Sequence, residues 1–228
     1  TNNVAVYQGG SGVMMPSYVP MMAAPSFYLG LILFAVGALV ACFVFLGTLV
    51  VAKRDKTYQG SVPLVTFGAI TACIIAVFTI TSGAIILVPT YLLSLGLIDS
   101  VDPLVYRTIW WAFGHSSQQI NVAAHISIWY AVAAIAFGAT PMSERVSRGA
   151  FLLYILFLQL ASAHHLLADP GVSTAWKVVN TSYFMYFAVL ASMIHGLTIP
   201  GAIEVAQRQK GYTKGLFEWL RKAPWGNP

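Results

Sequence analysis

Charged side chains are scarce in this sequence. Only 8% of its 228 residues are Asp, Glu, Lys or Arg, whereas a soluble domain carries about 25%. Hydrophobic residues make up 58% of the chain and the mean hydropathy is +0.75. A chain this apolar is not a soluble globular domain, and helices are the usual way to satisfy backbone groups in lipid. We therefore predict an all-α polytopic membrane protein.

Cysteine residues, and Asp and Glu residues within the apolar stretches, are also nearly absent. The two cysteines, Cys42 and Cys73, fall in the middle of different apolar stretches, so we expect them to pack rather than to form a disulfide. No Asp or Glu lies in the middle of an apolar stretch, which argues against a channel or transporter with paired membrane charges. The sequence shows no basic–aromatic nucleic-acid motif, so the net charge of +5 predicts no nucleic-acid partner.

Five apolar stretches are long enough to cross a bilayer, which takes about 20 helical residues. We predict five transmembrane helices, separated by the runs KRDKTYQG, DSVDP, GATPMSER and ADPG, near Phe27–Val51, Val62–Leu97, Leu104–Gly138, Ala150–Leu167 and Ala175–Val205. This divides the chain into an N-terminal outer loop (1–25), a five-helix transmembrane segment (26–208) and a cytoplasmic interfacial tail (209–228).

The basic residues indicate the orientation. They cluster after the first, third and fifth spans, and only Arg107 and Lys177 fall on the other side. Because cytoplasmic loops are rich in Lys and Arg, we expect the C-terminal tail in the cytoplasm and the N-terminal segment outside. Aromatic residues such as Trp219 and Trp225 alternate with basic ones in the tail, which predicts a contact with membrane lipid.

Histidine is the most informative residue type inside these spans. His115 and the adjacent pair His164 and His165 fall at a similar depth in the outer part of the membrane, and three imidazoles at one depth suit a transition metal. Neighbours on an ideal α-helix point about 100° apart, so the pair converges only if the helix loosens near its end. We interpret His125 and His195 as hydrogen-bonded contacts between helices, with a proton or polar path as the alternative for His195.

The motifs around these histidines resemble a known family. The chain contains RTIWWAFGH ending at His115, HHLLADPG starting at His164, and also SFYLG, PLVTF, VDPLVYRT, AWK and KGLFEWLRKAPWGNP. Together they resemble the catalytic subunit of B-family (ba-type) heme-copper oxidases, over its fourth to eighth helices. The resemblance implies that His115, His164 and His165 bind copper, that Trp111 and Asp169 bind cofactor, and that the axial heme ligands lie outside this chain.

One position departs from the family's oxygen reductases. Those enzymes carry a tyrosine, cross-linked to the first copper ligand, four residues after it, and this chain has Gln119 there. An amide forms hydrogen bonds but supplies no electron. Cleavage of O2 needs four electrons at once, one of them from the phenol, whereas coupling two NO molecules needs two. We therefore assign Gln119 to the catalytic site and expect nitric oxide reduction.

A second departure concerns protons. The family's oxygen reductases place hydroxyl side chains along the fifth of these spans, and the matching positions here are Phe184, Ala191 and Ile194. Tyr130 remains from that channel, but the next position toward the metal is Ile126. We expect the cytoplasmic route to be broken, with protons taken from outside and none pumped.

The resemblance also predicts the setting of the chain. We expect a respiratory complex in a bacterial or archaeal cell membrane, with the remaining part of the catalytic subunit on the same or a separate chain. A cupredoxin-like or cytochrome c subunit would donate electrons. The alternatives are an oxygen reductase that takes electrons from cytochrome c or quinol, and a non-catalytic membrane scaffold that kept the fold. Retention of all three histidines argues against the scaffold.

Overall fold

The computed structural model describes residues 23–222, and they form a helical bundle. Four helices are long and apolar enough to cross a membrane: α1 (Pro25–Arg54), α2 (Leu64–Ser94), α3 (Pro103–Phe137) and α5 (Thr174–Gln209). A shorter helix, α4 (Glu144–Leu153), precedes α5, and a short helix α6 (Glu218–Lys222) follows it. The expectation of an all-α polytopic membrane fold is confirmed, and the four long helices agree with the predicted spans to within about one helical turn.

The predicted fourth span, Ala150–Leu167, is not one regular α-helix. α4 begins earlier, at Glu144, and then passes into a π-helical turn at Tyr154–Leu158 and a 3₁₀ helix at Ala161–Leu166. The Asn180 side-chain amide donates to the carbonyl of Leu160, and the His164 ring bonds to the carbonyl of Ala161. Because side chains bind these carbonyls, the α-helical ladder gives way there, which hydrophobicity alone did not predict.

The residues at both ends of α3 are typical of helix termini. The Asp102 carboxylate accepts hydrogen bonds from the backbone amides of Leu104 at 2.8 Å and Val105 at 3.0 Å, and Pro103 occupies the first turn. This is the expected chemistry of a helix N-terminus. Gly138 ends the helix in the left-handed conformation, with φ of 68°, which glycine adopts without steric cost. The helix that carries His115 is therefore fixed at both ends.

The bundle core is built on close contacts of small residues. α2 packs most extensively against α3, and α1 packs mainly on α2. A Cβ added at Gly68 would lie 2.7 Å from Cζ of Phe151 and 2.9 Å from Cβ of Ser127, so this glycine lets α2, α3 and α4 meet. Small residues permit such close approach in membrane helices. α1 exposes large apolar side chains such as Leu33 and Phe34, as expected of a surface in contact with lipid or further helices.

The residues after α5 fold back on the end of the bundle. Glu204 of α5 accepts hydrogen bonds from the backbone amide of Phe217 and from Nε1 of Trp219, both at 3.1 Å. The Trp219 ring contacts Phe137 edge-on, and Nζ of Lys210 donates to the Phe137 carbonyl at 2.9 Å. We call residues 204–222 the C-terminal clasp. The prediction that residues 209–228 lie at the membrane interface stays a prediction, and residues 223–228 with Trp225 lie outside the described part.

Candidate metal centre

Three histidines from two distant parts of the chain meet inside the bundle. His115 lies in α3, and His164 and His165 lie in the 3₁₀ helix. One ligand atom from each ring lies within 4.8 Å of the others. His115 is buried, whereas His164 and His165 are partly exposed. The structure therefore brings together the three residues for which the sequence predicts a metal site.

The 3₁₀ helix explains how two adjacent histidines converge. Its turn is tighter than that of an α-helix, and the ring centroids of His164 and His165 lie 4.1 Å apart. The ring of His115 then lies 4.4 Å from that of His164 and 5.2 Å from that of His165, measured between centroids. The 3₁₀ helix is the loosening on which the convergence of the pair depends, and an ideal α-helix would not supply it.

The outer nitrogen of each of two rings already has a partner. Nε2 of His115 lies 3.1 Å from the side-chain amide of Gln119, one helical turn on, and Nδ1 of His164 bonds to the Ala161 carbonyl. These contacts leave Nδ1 of His115 facing Nε2 of His165 at 3.1 Å. Metal-bound histidines usually bond their second ring nitrogen in this way. The contacts of Nε2 of His115 and Nδ1 of His164 therefore leave the other nitrogen of each ring free of these partners.

The donor set fits a copper ion. Neutral imidazole is a common ligand of transition metals and suits copper, zinc, iron and nickel. Within the described residues the metal-ligand group contains no carboxylate or thiolate. A structural zinc site would need a fourth closed ligand. Three imidazoles without an acid therefore fit copper, and they also fit a zinc ion that keeps an open position.

Trp111 and Asp169, the two predicted cofactor contacts, have different surroundings. The Trp111 ring stacks on His165 with centroids 3.8 Å apart and planes 4° from parallel, so it fixes the orientation of that ring. Asp169 instead pairs with Arg107 at 3.0 Å, and its carbonyl accepts from Nζ of Lys177 at 3.0 Å. The structure therefore places Trp111 against the cluster and Asp169 in an ion pair next to the 3₁₀ helix.

His125 and His195 stand apart from the metal cluster. The interpretation of His195 as a contact between helices is confirmed, since it is fully buried and its Nδ1 lies 2.9 Å from the hydroxyl of Tyr130. His125 is exposed on α3 among the described residues, so its interpretation as a contact between helices stays a prediction. The period of α3 turns His125 outward, and its depth in the sequence alone did not show this.

Sequence reasoning missed several polar side chains that support the site. Ser116 and Ser162, which lie next to the histidines in sequence, bond to each other at 2.9 Å between Oγ atoms. Asn180, fully buried in α5, holds the Leu160 carbonyl. Polar residues inside membrane spans are costly and usually paired. Their position in apolar stretches was the signal that could have found them.

The family's proton-channel positions are apolar in the packed structure as well. Ala191 and Ile126 are buried in the main hydrophobic core, and Phe184 and Ile194 pack against it. Tyr130 lies in the same core, but its hydroxyl contacts Ser147 and His195. The direct line from Tyr130 through Ile126 toward Gln119 is therefore hydrophobic.

The bundle and its imidazole cluster indicate the class of protein. It is a multi-pass helical membrane protein with a candidate metal site between its helices. Residues 3–227 match the family described as Cytochrome C and Quinol oxidase polypeptide I, and the chain belongs to that family. Its members use heme and copper, which agrees with the cofactors that the sequence predicts.

Two known proteins are similar to this chain. Cytochrome c oxidase subunit 1 of Thermus thermophilus is 32% identical over 220 residues, which cover 95% of this chain and 38% of that protein. A solved heme-copper terminal oxidase dimer superposes with a TM-score of 0.81 at 28% identity, over 90% of this chain and 36% of that one. The chain thus spans little more than a third of the length of these relatives.

Proposed function

We propose that this chain forms part of the catalytic subunit of a heme-copper nitric oxide reductase, an oxidoreductase that converts NO to N2O. In this proposal His115, His164 and His165 hold the copper. The observation that carries the choice of substrate is Gln119, whose amide lies 3.1 Å from Nε2 of His115. The heme-copper pair, when bound, supplies two electrons for the coupling of two NO molecules.

Gln119 lies where a redox-active phenol would be needed for oxygen chemistry. It follows His115 by one helical turn, so both side chains lie on the same face of α3. Its amide accepts or donates a hydrogen bond but gives up neither an electron nor a proton at neutral pH. At this position it holds the His115 ring in place. NO reduction does not need the phenol, and the proposal follows from that difference.

Oxygen reduction is the second candidate, because the two similar proteins are named as an oxidase subunit and a terminal oxidase. It requires a replacement for the missing phenol. Among the described tyrosines, Tyr130 and Tyr154 lie in the polar group around His195. An oxygen reductase would therefore need a phenol from another position of this chain or from the remaining part of the catalytic subunit.

The chain requires partners to carry out either reaction. We propose that the axial heme ligands come from the remaining part of the catalytic subunit, since His195 is bonded to Tyr130 and His125 is exposed. A cupredoxin-like or cytochrome c subunit would deliver electrons from the outer side. The C-terminal clasp would face the cytoplasm, as the distribution of Lys and Arg predicts.

Paired turnover measurements test this proposal. The purified complex that contains the chain is supplied with one artificial electron donor, and NO and O2 consumption are measured in the same preparation, with N2O quantified as product. We expect NO reduction to be the faster reaction. Rapid O2 reduction with negligible N2O would overturn the proposal in favour of oxygen reduction, and copper analysis of the same sample separates both from a metal-free scaffold.

A further inference from the structure

Two backbone carbonyls just before the histidine pair are both bonded to side chains. In an α-helix each carbonyl accepts a hydrogen bond from the amide four residues on. The carbonyls of Leu160 and Ala161 would therefore accept from the backbone amides of His164 and His165. Here the Asn180 side-chain amide donates to the Leu160 carbonyl, and the His164 ring bonds to the Ala161 carbonyl. The segment forms a 3₁₀ helix instead of an α-helix.

Only one of these two side-chain bonds comes from another helix. The bond from His164 spans three residues within the segment, so it depends on the local backbone conformation. The bond from Asn180 comes from α5, where this fully buried residue begins a π-helical turn at Asn180–Phe184. A donor held by a separate helix does not depend on the conformation of the segment that it contacts. Asn180 is therefore the external constraint on the Leu160 carbonyl.

Aromatic packing one turn away fixes the register between the two elements. The ring of Phe157, in the π-helical turn of the fourth span, lies 4.7 Å from that of Phe187 and 6.3 Å from that of Phe184, measured between centroids. Leu160 follows Phe157 by three residues, and Asn180 precedes Phe184 by four. Because consecutive spans run in opposite directions, this aromatic contact brings the Asn180 side chain level with the Leu160 carbonyl.

The Asn180 amide uses its donor and leaves its acceptor unpaired. Its Oδ1 is buried and has no hydrogen-bond partner in the part of the chain that the structure describes. An unpaired buried acceptor costs free energy, and polar side chains within membrane spans are costly and usually functional. The donation to the Leu160 carbonyl is the contact that offsets this cost. An apolar side chain at this position would avoid the cost and lose that contact.

We propose that Asn180 is a positioning residue for the candidate metal centre. By holding the Leu160 carbonyl it keeps the following residues out of the α-helical conformation. The rings of His164 and His165 then lie 4.1 Å apart between centroids and converge on His115. Asn180 acts through the backbone that carries two of the ligands. This role rests on the copper site of the proposed function, and not on the choice between NO and O2.

Loss of the Asn180 amide should change the ligand set. The freed Leu160 carbonyl can accept the backbone amide of His164, which returns the segment to an α-helix. Neighbouring side chains on an α-helix point about 100° apart, so one of the paired imidazoles would leave the cluster. The competing explanation is that Asn180 only joins two helices, as other interhelical hydrogen bonds do. That explanation predicts lower stability with the same copper ligands.

The test uses the purified complex that contains the chain. Asn180→Leu keeps the branching of the side chain and its number of heavy atoms, and Asn180→Ala removes the amide without adding bulk. Tyr154→Phe is the matched control, because the Tyr154 hydroxyl bonds to Oγ of Ser192 at 2.8 Å and joins the same two elements away from the histidines. Copper affinity by chelator competition, X-ray absorption at the copper edge and thermal unfolding are measured for each variant.

Groups that support metal ligands contribute about 10- to 100-fold to metal affinity. We therefore expect the apparent dissociation constant for copper to rise by about ten-fold in both Asn180 variants, with two imidazoles at the copper instead of three. Tyr154→Phe should unfold at a lower temperature and keep the copper spectrum of the parent.

Parent-like copper affinity with three imidazoles in either folded Asn180 variant would overturn the positioning role. The same experiment separates this result from a failure of the proposed function. Copper bound by fewer than three imidazoles in the parent complex would overturn the assignment of the three ligands. Faster turnover of O2 than of NO would overturn the proposed substrate and leave the role of Asn180 standing.

Discussion

Buried imidazoles occur in two surroundings in this chain, and these differ in what lies opposite the ring nitrogens. In the metal centre, Nδ1 of His115 faces Nε2 of His165 at 3.1 Å, so ring nitrogens face each other rather than a hydroxyl or carboxylate. At the other site, Nδ1 of His195 faces the hydroxyl of Tyr130 at 2.9 Å. Imidazoles that converge on one another can hold a cation, whereas an imidazole beside a hydroxyl forms a hydrogen-bonded pair.

The comparison shows that the group opposite the ring nitrogens, and not the histidine itself, indicates the function of each site. Both sites are fixed by aromatic stacking, with Trp111 on His165 and Tyr154 on His195. The first stack orients a ring of the candidate metal cluster, and the second orients a ring that bonds to Tyr130. We therefore expect changes at the two sites to have different consequences for copper and for turnover.

The largest effect should follow loss of a metal ligand. Changing His115, His164 or His165 to Ala removes one of three imidazoles, so we expect copper to be lost and turnover to be abolished. Elemental analysis of the purified complex measures this. His125→Ala is the control, since that exposed histidine on the same helix as His115 lies outside the cluster. Full copper occupancy in all three ligand variants would show that the cluster does not hold the metal.

A smaller effect should follow removal of the Gln119 amide. Gln119→Leu keeps the volume near Nε2 of His115 but removes its hydrogen-bond partner. Because groups that bond a metal ligand's second nitrogen contribute about 10- to 100-fold to affinity or activity, we expect NO turnover to fall by about ten-fold. Copper content and NO turnover are measured together. Parent-like NO turnover in this variant would remove the role assigned to the amide.

Changes in the His195 group should affect stability without affecting copper. Tyr130→Phe leaves Nδ1 of His195 and Oγ of Ser147 without the Tyr130 hydroxyl. Hydrogen bonds between membrane helices contribute up to about 1.7 kcal/mol, so we expect the free energy of unfolding to fall by about 1 kcal/mol. Thermal unfolding of the purified complex, with copper analysis alongside, checks this. Loss of copper from Tyr130→Phe would show that the two sites are not separate.

The smallest effect concerns the C-terminal clasp. The ammonium of Lys222 beside Glu218, helped by the backbone amide of Lys214, holds the pKa of the Glu218 carboxyl below its ordinary value. A lowered pKa in the folded state stabilises the clasp above the ordinary value and loses this contribution as the pH falls through the lowered one. We expect residues 204–222 to become more accessible to pepsin under acid conditions. Glu218→Gln should abolish that pH dependence, and an unchanged profile would contradict it.

The sequence predicted most of the fold because span length and hydrophobicity are local properties. The ends of α3, for example, followed from Asp102, Pro103 and Gly138. It did not predict the π-helical turn or the 3₁₀ helix, because these depend on long-range bonds from Asn180 to Leu160.

The candidate site was predictable to a similar extent. The three histidines and Gln119 were identifiable from spacing and resemblance, and the i,i+4 relation placed His115 and Gln119 on one face. The link between Tyr154 and Ser192 was not identifiable, because it joins residues on different helices at 2.8 Å. Side-chain pairs between helices depend on packing and rotation that the spacing of one helix does not determine.

X-ray absorption at the copper edge, measured on the intact complex, tests the central claim most directly. The account predicts one copper per catalytic subunit with three imidazole nitrogens in its first shell. It also predicts a spectrum that changes on His165→Ala and is unchanged on His195→Ala. A complex without copper, or a copper spectrum altered by His195→Ala and unaffected by His165→Ala, would contradict the assignment of the three-histidine cluster as the metal site.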